Sequence, residues 1–287
     1  MTRPDLGQVG LAAIDQGSPQ RLGVDLVAVF RLIEPMPDKV QWVCREISRR
    51  LGVESDPALD RAWHELGALI DADPHTFDRH PYHNRQHYCE VALAAYFLGV
   101  LDRARLADVQ LVLLAALVHD LVHDGRHQRA FELERASVER ARPVLAAAGV
   151  AVPAIARIEA LVLATDPSAG IPFMAQACRA HALGNAPPLP PSEAPELSAL
   201  TDDPALAGLA RLLCEADILP SIGLTFAHSM RLQQRLAAEW QRPLDPRDKL
   251  EFIDAVLAHG FLGAFFLPNV QAARQQLREL RHASAES

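Results

Sequence analysis

Apolar residues recur along this chain at intervals of three and four, and nowhere settle into the alternation of a half-buried strand. The spacing predicts helices over Asp25–Ile33, Lys39–Arg50, Ala58–Ala72, Arg85–Leu101, Leu106–Leu121, Ala130–Ala148, Ala154–Ala164, Leu206–Leu219, Leu224–Glu239, Lys249–Phe266 and Val270–His282. One segment, LADVQLVLLAALVHD at 106–120, is apolar nearly all round, which marks a central buried helix and not a surface one. The expected fold class is all-α, a compact multi-helix arrangement. Two stretches break the pattern. Residues 1–23 lack an amphipathic signature and read as an N-terminal arm, possible disorder included. Residues 184–196, GNAPPLPPSEAPE, are too rich in proline for a helix and read as a loop inside a single helical domain spanning 24–283.

Composition narrows the classes of function. Of 287 residues, 49% are hydrophobic and 22% charged, an ordinary globular profile. The formal net charge of −8 argues against binding a nucleic-acid backbone, which requires a basic face. A small anionic substrate stays open, because a bound metal supplies positive charge locally. Cys44, Cys89, Cys178 and Cys214 are scattered without a C-x-x-C pair and read as reduced thiols. The chain opens without an apolar leader, and the longest strongly apolar run, Leu111–Val118, falls well short of the roughly 20 residues that span a bilayer. A cytoplasmic protein with no membrane partner is the expectation. Nothing in the pattern specifies an oligomeric state.

The chemistry concentrates in one region. Of 12 histidines, His75, His80, His83, His87, His119, His123 and His127 fall between residues 75 and 127. His83/His87 and His119/His123 are spaced four apart, which on a helix would aim both imidazoles of a pair the same way. His119-Asp120 closes the most apolar predicted helix, where a bare carboxylate would be costly. A bound cation resolves that cost; a buried salt bridge does so too. Taken alone, a His-Asp pair at a helix end is more often structural than metal-binding.

Four pieces taken together change that balance: PYHNRQHYCEV at 81–91, AALVHDLVHDG at 115–125, LVLATD at 161–166 and CEADILP at 214–220. In order and approximate spacing they resemble the HD/PDEase superfamily, in particular the branch shared by cyclic nucleotide phosphodiesterases and bacterial HD phosphohydrolases. The resemblance covers about residues 75–270. It implies metal ligation by His87, His119, Asp120 and Asp217, with Asp120 also bridging to a second ion. It implies that His83 is the general acid, that His123 lies beside the second metal or its waters, and that Glu134, in FELERAS, faces the site and activates or orients water. Asn84 and Thr165 are candidate supporting groups, with a helix-cap or surface role as the alternative. One or two divalent ions (Zn, Fe, Mn or Mg) would then neutralise a phosphodiester and generate a nucleophile from water, and an imidazole of ordinary pKa suits protonation of the leaving oxygen.

The match departs in two places. TDPSAGIPF lacks the histidine that often follows Thr-Asp, which lowers a di-iron oxygenase reading. KLEFID at 249–254 puts Lys249 where the resemblance implies a base-clamping glutamine, so Lys249 and Phe252 are carried as substrate-binding residues with purine recognition open. Phe252 at helical spacing also fits the core. Arg85, Arg126 and Arg129 lie close in sequence and could meet a phosphate, but arginines on helix surfaces mostly just solvate the face, so they are not carried as site residues. The resemblance implies a phosphohydrolase acting on a small phosphorylated substrate, in particular a nucleotide such as a cyclic one. A non-catalytic HD-fold binding or scaffold module is the competing class.

Overall fold

The computed structural model describes residues 10–52, 56–124, 129–261 and 265–285. Among these residues there is no strand. The helices in chain order are α1 (Leu11–Asp15), α2 (Pro19–Ile33), α3 (Lys39–Leu51), α4 (Pro57–Ala72), α5 (Pro74–Phe77), α6 (Arg85–Leu101), α7 (Leu106–Val118), α8 (Glu132–Ala147), α9 (Val152–Leu163) and α10 (Gly170–Leu183). They continue as α11 (Ser198–Asp202), α12 (Pro204–Ile222), α13 (Phe226–Glu239), α14 (Pro246–Ala258) and α15 (Leu267–Ala285), with a short 3-10 turn at Pro195–Leu197 before α11. The all-α expectation holds.

Two compact units organise these helices. One contains residues 1–36, 80–82 and 218–287; the other contains 37–79 and 83–217. In the second unit α7 is the centre: it packs against α4, α6 and α9, and its residues from Asp108 to Val118 are all buried. An apolar helix with neighbours on every side has no solvent face to decorate with polar groups, which explains its composition. Helix α6 is buried almost as completely, from Arg85 to Gly99. In the first unit α15 packs on α2 and α14. There Asn269 ties three segments, donating through Nδ2 to the carbonyls of Pro19 (3.0 Å), Gly223 (2.8 Å) and Leu224 (3.1 Å).

Several boundaries move for identifiable reasons. Helix α2 starts at Pro19, six residues before the apolar period shows, because Ser18 caps it and Pro19 fits its first turn. Helix α10 is absent from the predicted set. Its first turn contains Gly170 and Pro172, and its start is set from outside by Asp166. A Cβ at Gly170 would lie 2.2 Å from the carbonyl oxygen of Leu163, so only glycine allows this approach. The Pro-rich stretch is non-helical up to the turn at Pro195, as its composition requires. Residues 1–9 of the expected arm lie outside the described residues.

Candidate metal centre

Helix α6 begins because Asn84 caps it: its side-chain oxygen accepts from the backbone N–H of Gln86 (2.9 Å) and of His87 (3.4 Å). That places His87 in the first turn, buried. Helix α7 ends at Val118, with His119 as its C-cap and Asp120 one residue beyond. Asp217 comes from α12, and these three elements converge within the second unit. Nε2 of His87, Nε2 of His119 and a carboxylate oxygen of Asp217 all lie within 4.8 Å of one another. Asp217 Oδ1 is 3.1 Å from His87 Nε2 and 3.7 Å from His119 Nε2. Asp120 Oδ2 lies 3.3 and 3.2 Å from the same two nitrogens.

The segment 119–124 is not helical, so the four-residue spacing of His119 and His123 does not operate through a helix. Four side chains hold it instead. Tyr88 Oη donates to the Asp120 carbonyl (2.5 Å), Arg140 to that of Leu121 (3.1 Å) and Arg79 to that of His123 (2.9 Å). Ser137 Oγ accepts from the Val122 N–H (2.9 Å). Asp120 is thus fixed through its backbone, leaving its carboxylate to face the imidazoles. His83 likewise precedes α6 because Asn84 begins it, so the helix-face argument fails for His83/His87 as well. The rings nevertheless meet: His83 packs edge-on to His87 (centroids 5.5 Å) and stacks on His123 (3.7 Å), while His123 Nδ1 lies 3.6 Å from Asp120 Oδ1.

Electrostatics follow from burial and charge. Burial pushes the His87 imidazole down, but Asp120 and Asp217 outweigh it and lift the group to about 9. His119 is likewise raised well above its ordinary value against the same burial penalty. Burial works against both aspartates too, and the two imidazoles still hold Asp120 and Asp217 below the usual carboxylate range. Glu134, near the start of α8, is pushed up to about 7, first by burial and then by the charges of Asp166 and Asp120.

The donor set fits a divalent cation. Two imidazolium ions facing two carboxylates are neutral as a group, and exchanging two protons for one divalent ion keeps that balance. His119 Nδ1 lies 2.9 Å from the Ala116 carbonyl, which can only accept, so Nδ1 carries the proton and Nε2 is the atom that offers a lone pair. That Nε2 is enclosed and makes no hydrogen bond of usable geometry, although two carboxylates approach it. Imidazole and carboxylate donors suit borderline ions such as zinc, iron or manganese.

No family model matches the chain, and no curated protein matches it in sequence. Solved structures do. The phosphodiesterase domain of the Salpingoeca rosetta rhodopsin phosphodiesterase superposes with a TM-score of 0.64 at 18% identity, over 86% of this chain and 89% of that one. A second structure of that domain, from the choanoflagellate's RhoPDE fusion protein, gives 0.60 at 18%, over 92% and 93%. LmjPDEB1, a Leishmania phosphodiesterase in complex with IBMX, gives 0.63 at 15%, over 98% and 97%. The fold is HD/PDEase-like. At such identities the likeness to phosphodiesterase domains concerns the path of the chain.

On that fold the remaining sequence candidates distribute as follows. Thr165 donates its hydroxyl to the Val162 carbonyl (2.7 Å), closing α9. The next residue, Asp166, was not singled out, yet it accepts from the N–H groups of Phe131 (2.9 Å), Ser168 (2.9 Å) and Ala169 (2.7 Å). It therefore anchors the start of both α8, which carries Glu134, and α10. The signal was present as Asp-Pro-Ser after a helical run. Arg85 is not a phosphate-facing group: it is buried, donating to Asp78 (2.6 and 2.9 Å), Asp71 (3.4 Å) and the Pro37 carbonyl (2.8 Å). Arg129 is on the surface, 3.9 Å from Glu132. Lys249 and Phe252 lie on α14 of the first unit, and Phe252 is 41% exposed, so its core reading is corrected. Gly125, Arg126 and His127 lie outside the described residues. No helix of the described residues is long and apolar enough to cross a membrane.

Proposed function

We propose that this protein is a metal-dependent phosphohydrolase that cleaves a phosphoester, with a phosphodiester such as a cyclic nucleotide as the substrate class. The observation that carries the reading is the convergence of His87, His119, Asp120 and Asp217 from three separate elements on one point, with the ring of His119 oriented by Ala116. The likeness of the fold to phosphodiesterase domains, one of them in a structure with IBMX, supports the phosphodiester class.

In this reading His87, His119, Asp120 and Asp217 hold the cation. When bound, it supplies Lewis acidity toward a phosphoryl oxygen and lowers the pKa of water. The chain's own residues do the rest. His83, whose ring stacks on that of His123, gives a proton to the departing oxygen. Glu134, at about 7, is poised to take a proton from the attacking water near neutral pH. Asn84 fixes the register of His87 by capping α6. His123 and Thr165 support the segments around the metal ligands.

The test is metal analysis of the purified protein joined to a hydrolysis screen over cyclic and linear nucleotides with zinc, iron, manganese and magnesium. Turnover that is lost on chelation and in Asp120→Ala supports the proposal. Stoichiometric metal with a large melting shift on chelation but no turnover of any phosphoester would replace it with the non-catalytic reading.

A further inference from the structure

Between α10 and the turn at Pro195 runs the segment Ala186-Pro187-Pro188-Leu189-Pro190-Pro191, in which every residue is a proline or stands directly before one. Proline fixes its own φ near the polyproline II value and drives the residue before it into the same extended region. Residues 185–191 accordingly contain no helix, strand or turn. Burial carries the same signature. Ala186, Leu189 and Ser192 are exposed, while Pro187, Pro188, Pro190 and Pro191 are half-buried. That period of three is the polyproline II repeat, with one edge of the helix turned to solvent. Leu189 is the large apolar side chain on that edge, and at 91% it is the most exposed large hydrophobic residue among those described.

The segment is strung between two fixed ends. At one, Gly184 closes α10 in the left-handed region, and the N–H of Asn185 donates to the Ala180 carbonyl (2.9 Å). At the other, Ala194 is fully buried and donates its N–H to the Pro191 carbonyl (3.0 Å). Arg135 of α8 grips the exit: its two terminal nitrogens bond the two carboxylate oxygens of Glu196 (2.9 Å each), and one of them also reaches the Glu193 carbonyl. Such a forked pair fixes direction as well as distance. The four prolines of the segment have no N–H, so it cannot act by strand pairing. What it offers is carbonyls, proline rings and one leucine.

We propose that residues 186–192 are a docking element for a partner protein with a groove walled by aromatic rings, Leu189 entering the groove and the rings of Pro188 and Pro190 resting on its walls. The chain has already given up the freedom that docking would otherwise remove, because prolines restrict it locally and both ends are anchored. Taking a leucine this exposed out of water favours the complex further. Charge narrows the partner. From Gly184 to Glu196 there is no lysine or arginine, and two carboxylates, Glu193 and Glu196, follow the prolines. A groove that reads proline together with a flanking arginine, through an acidic pocket, lacks its second contact here. The partner that fits has a neutral or basic rim. The inference uses none of the metal ligands and stands whether or not the protein hydrolyses a phosphoester.

The test titrates the full-length protein into two fluorescently labelled probes and follows anisotropy. One is a WW domain, whose groove is formed by a tyrosine and a tryptophan; the other is an SH3 domain with an acidic pocket for arginine. We expect the WW domain to bind below millimolar concentration and at least tenfold more tightly than the SH3 domain. Leu189→Ala should weaken it tenfold or more, and the double variant Pro188→Ala/Pro190→Ala should do as much. Leu32→Ala, at an exposed leucine of α2, should change nothing. Arg135→Gln frees the far end of the segment and should weaken binding severalfold, by returning freedom that docking must remove. Leu189→Ala removes a side chain that faces solvent, so its melting temperature should equal that of wild type and its lost binding reports docking, not folding. WW binding that is absent at millimolar concentration, or equal in wild type and Leu189→Ala, overturns the proposal. An SH3 domain that binds as well as the WW domain overturns the chemistry assigned to the partner.

Discussion

Nδ1 of His119 lies 2.9 Å from the carbonyl oxygen of Ala116, three residues back in α7. This contact settles which nitrogen of His119 faces Asp120 and Asp217, and it makes the metal-free centre depend on pH in a definite direction. His87, at about 9, and His119 are both raised above their ordinary value, so their contribution to stability is complete below about pH 6.5 and fades as the pH rises through 9. Asp120 and Asp217, held below the usual carboxylate range, contribute above about pH 4 and lose that contribution on acidification. Chelator-treated protein should therefore resist urea best between about pH 4 and 6.5 and weaken steadily toward pH 9. Added zinc or manganese should reverse the alkaline loss, with protons released on binding, so apparent metal affinity rises between pH 6 and pH 8. Stability that climbs from pH 6.5 to 9 in the metal-free chain would contradict this account of the centre.

Tyr88 tests whether the loop that carries Asp120 needs its clamp. The phenol donates to the Asp120 carbonyl while the ring stays buried between elements of the core. Tyr88→Phe keeps the packing and removes the hydroxyl, leaving a buried carbonyl short of a donor at a cost of about 1–3 kcal/mol. Because the lost bond orients a ligand, metal affinity should drop by roughly 10–100-fold, as it does when supporting partners of metal ligands are removed. Thermal unfolding and a metal competition titration measure the two effects separately. A variant that loses stability yet keeps its metal affinity would show that the clamp serves folding alone.

Arg85 lies two residues from His87 in sequence but works inward. It holds Asp78 by two bonds and reaches Asp71, whose side chain is almost fully enclosed. Burial already pushes the Asp71 carboxyl up, against the backbone N–H groups of Gln41 and Val40 and the charge of Arg85. Removing the guanidinium in Arg85→Ala would strand these partners, and breaking such a pair from one side typically costs about 3–5 kcal/mol. Arg85→Lys should recover only part, because an ammonium cannot make the forked contact to Asp78. Urea denaturation of both variants checks the order. If Arg85→Ala unfolds like wild type but loses affinity for phosphate, the arginine faces substrate after all.

The helical architecture was legible because apolar spacing is a local signal, and the boundaries of α6 matched it residue for residue. The convergence of His87, His119, Asp120 and Asp217 was legible only through the ordered motifs, since no local property of Asp217 announces that it will meet His119. The failures have one cause: partners far along the chain. Asp166 starts α10 by accepting N–H groups, and no periodicity in Gly170–Leu183 reveals this. Helix α7 stops at Val118 with Tyr88, Arg140 and Ser137 gripping the residues that follow, so the spacing of His119 and His123 ceases to be helical there. Asn84, by capping α6, does the same to His83 and His87. Arg85 and Phe252 were misplaced for the converse reason: sequence proximity to a motif and helical spacing say nothing of which way a side chain turns.

Glu134 offers the sharpest separation of function from structure. Burial and the charges of Asp166 and Asp120 raise its carboxyl from an ordinary 4.5 to about 7. A carboxyl raised in this way contributes its stability at low pH and loses it as the pH rises through about 7, so the ionised form at pH 8 is a burden on the fold. Glu134→Gln keeps the shape and cannot ionise. At pH 8 the variant should be more stable than wild type by up to about 3 kcal/mol, the equivalent of the shift, and the gap should close below pH 5. If Glu134 takes the proton from water, the same substitution should lower kcat by about 10²–10⁴-fold and abolish the acid limb of the wild-type rate profile near pH 7, with little change in KM. Stability and turnover would then move in opposite directions at one atom-for-atom replacement, the mark of a carboxylate kept for chemistry at the expense of the fold. A Glu134→Gln protein that gains stability at pH 8 and retains full turnover would remove Glu134 from the mechanism and leave water activation to the cation centre.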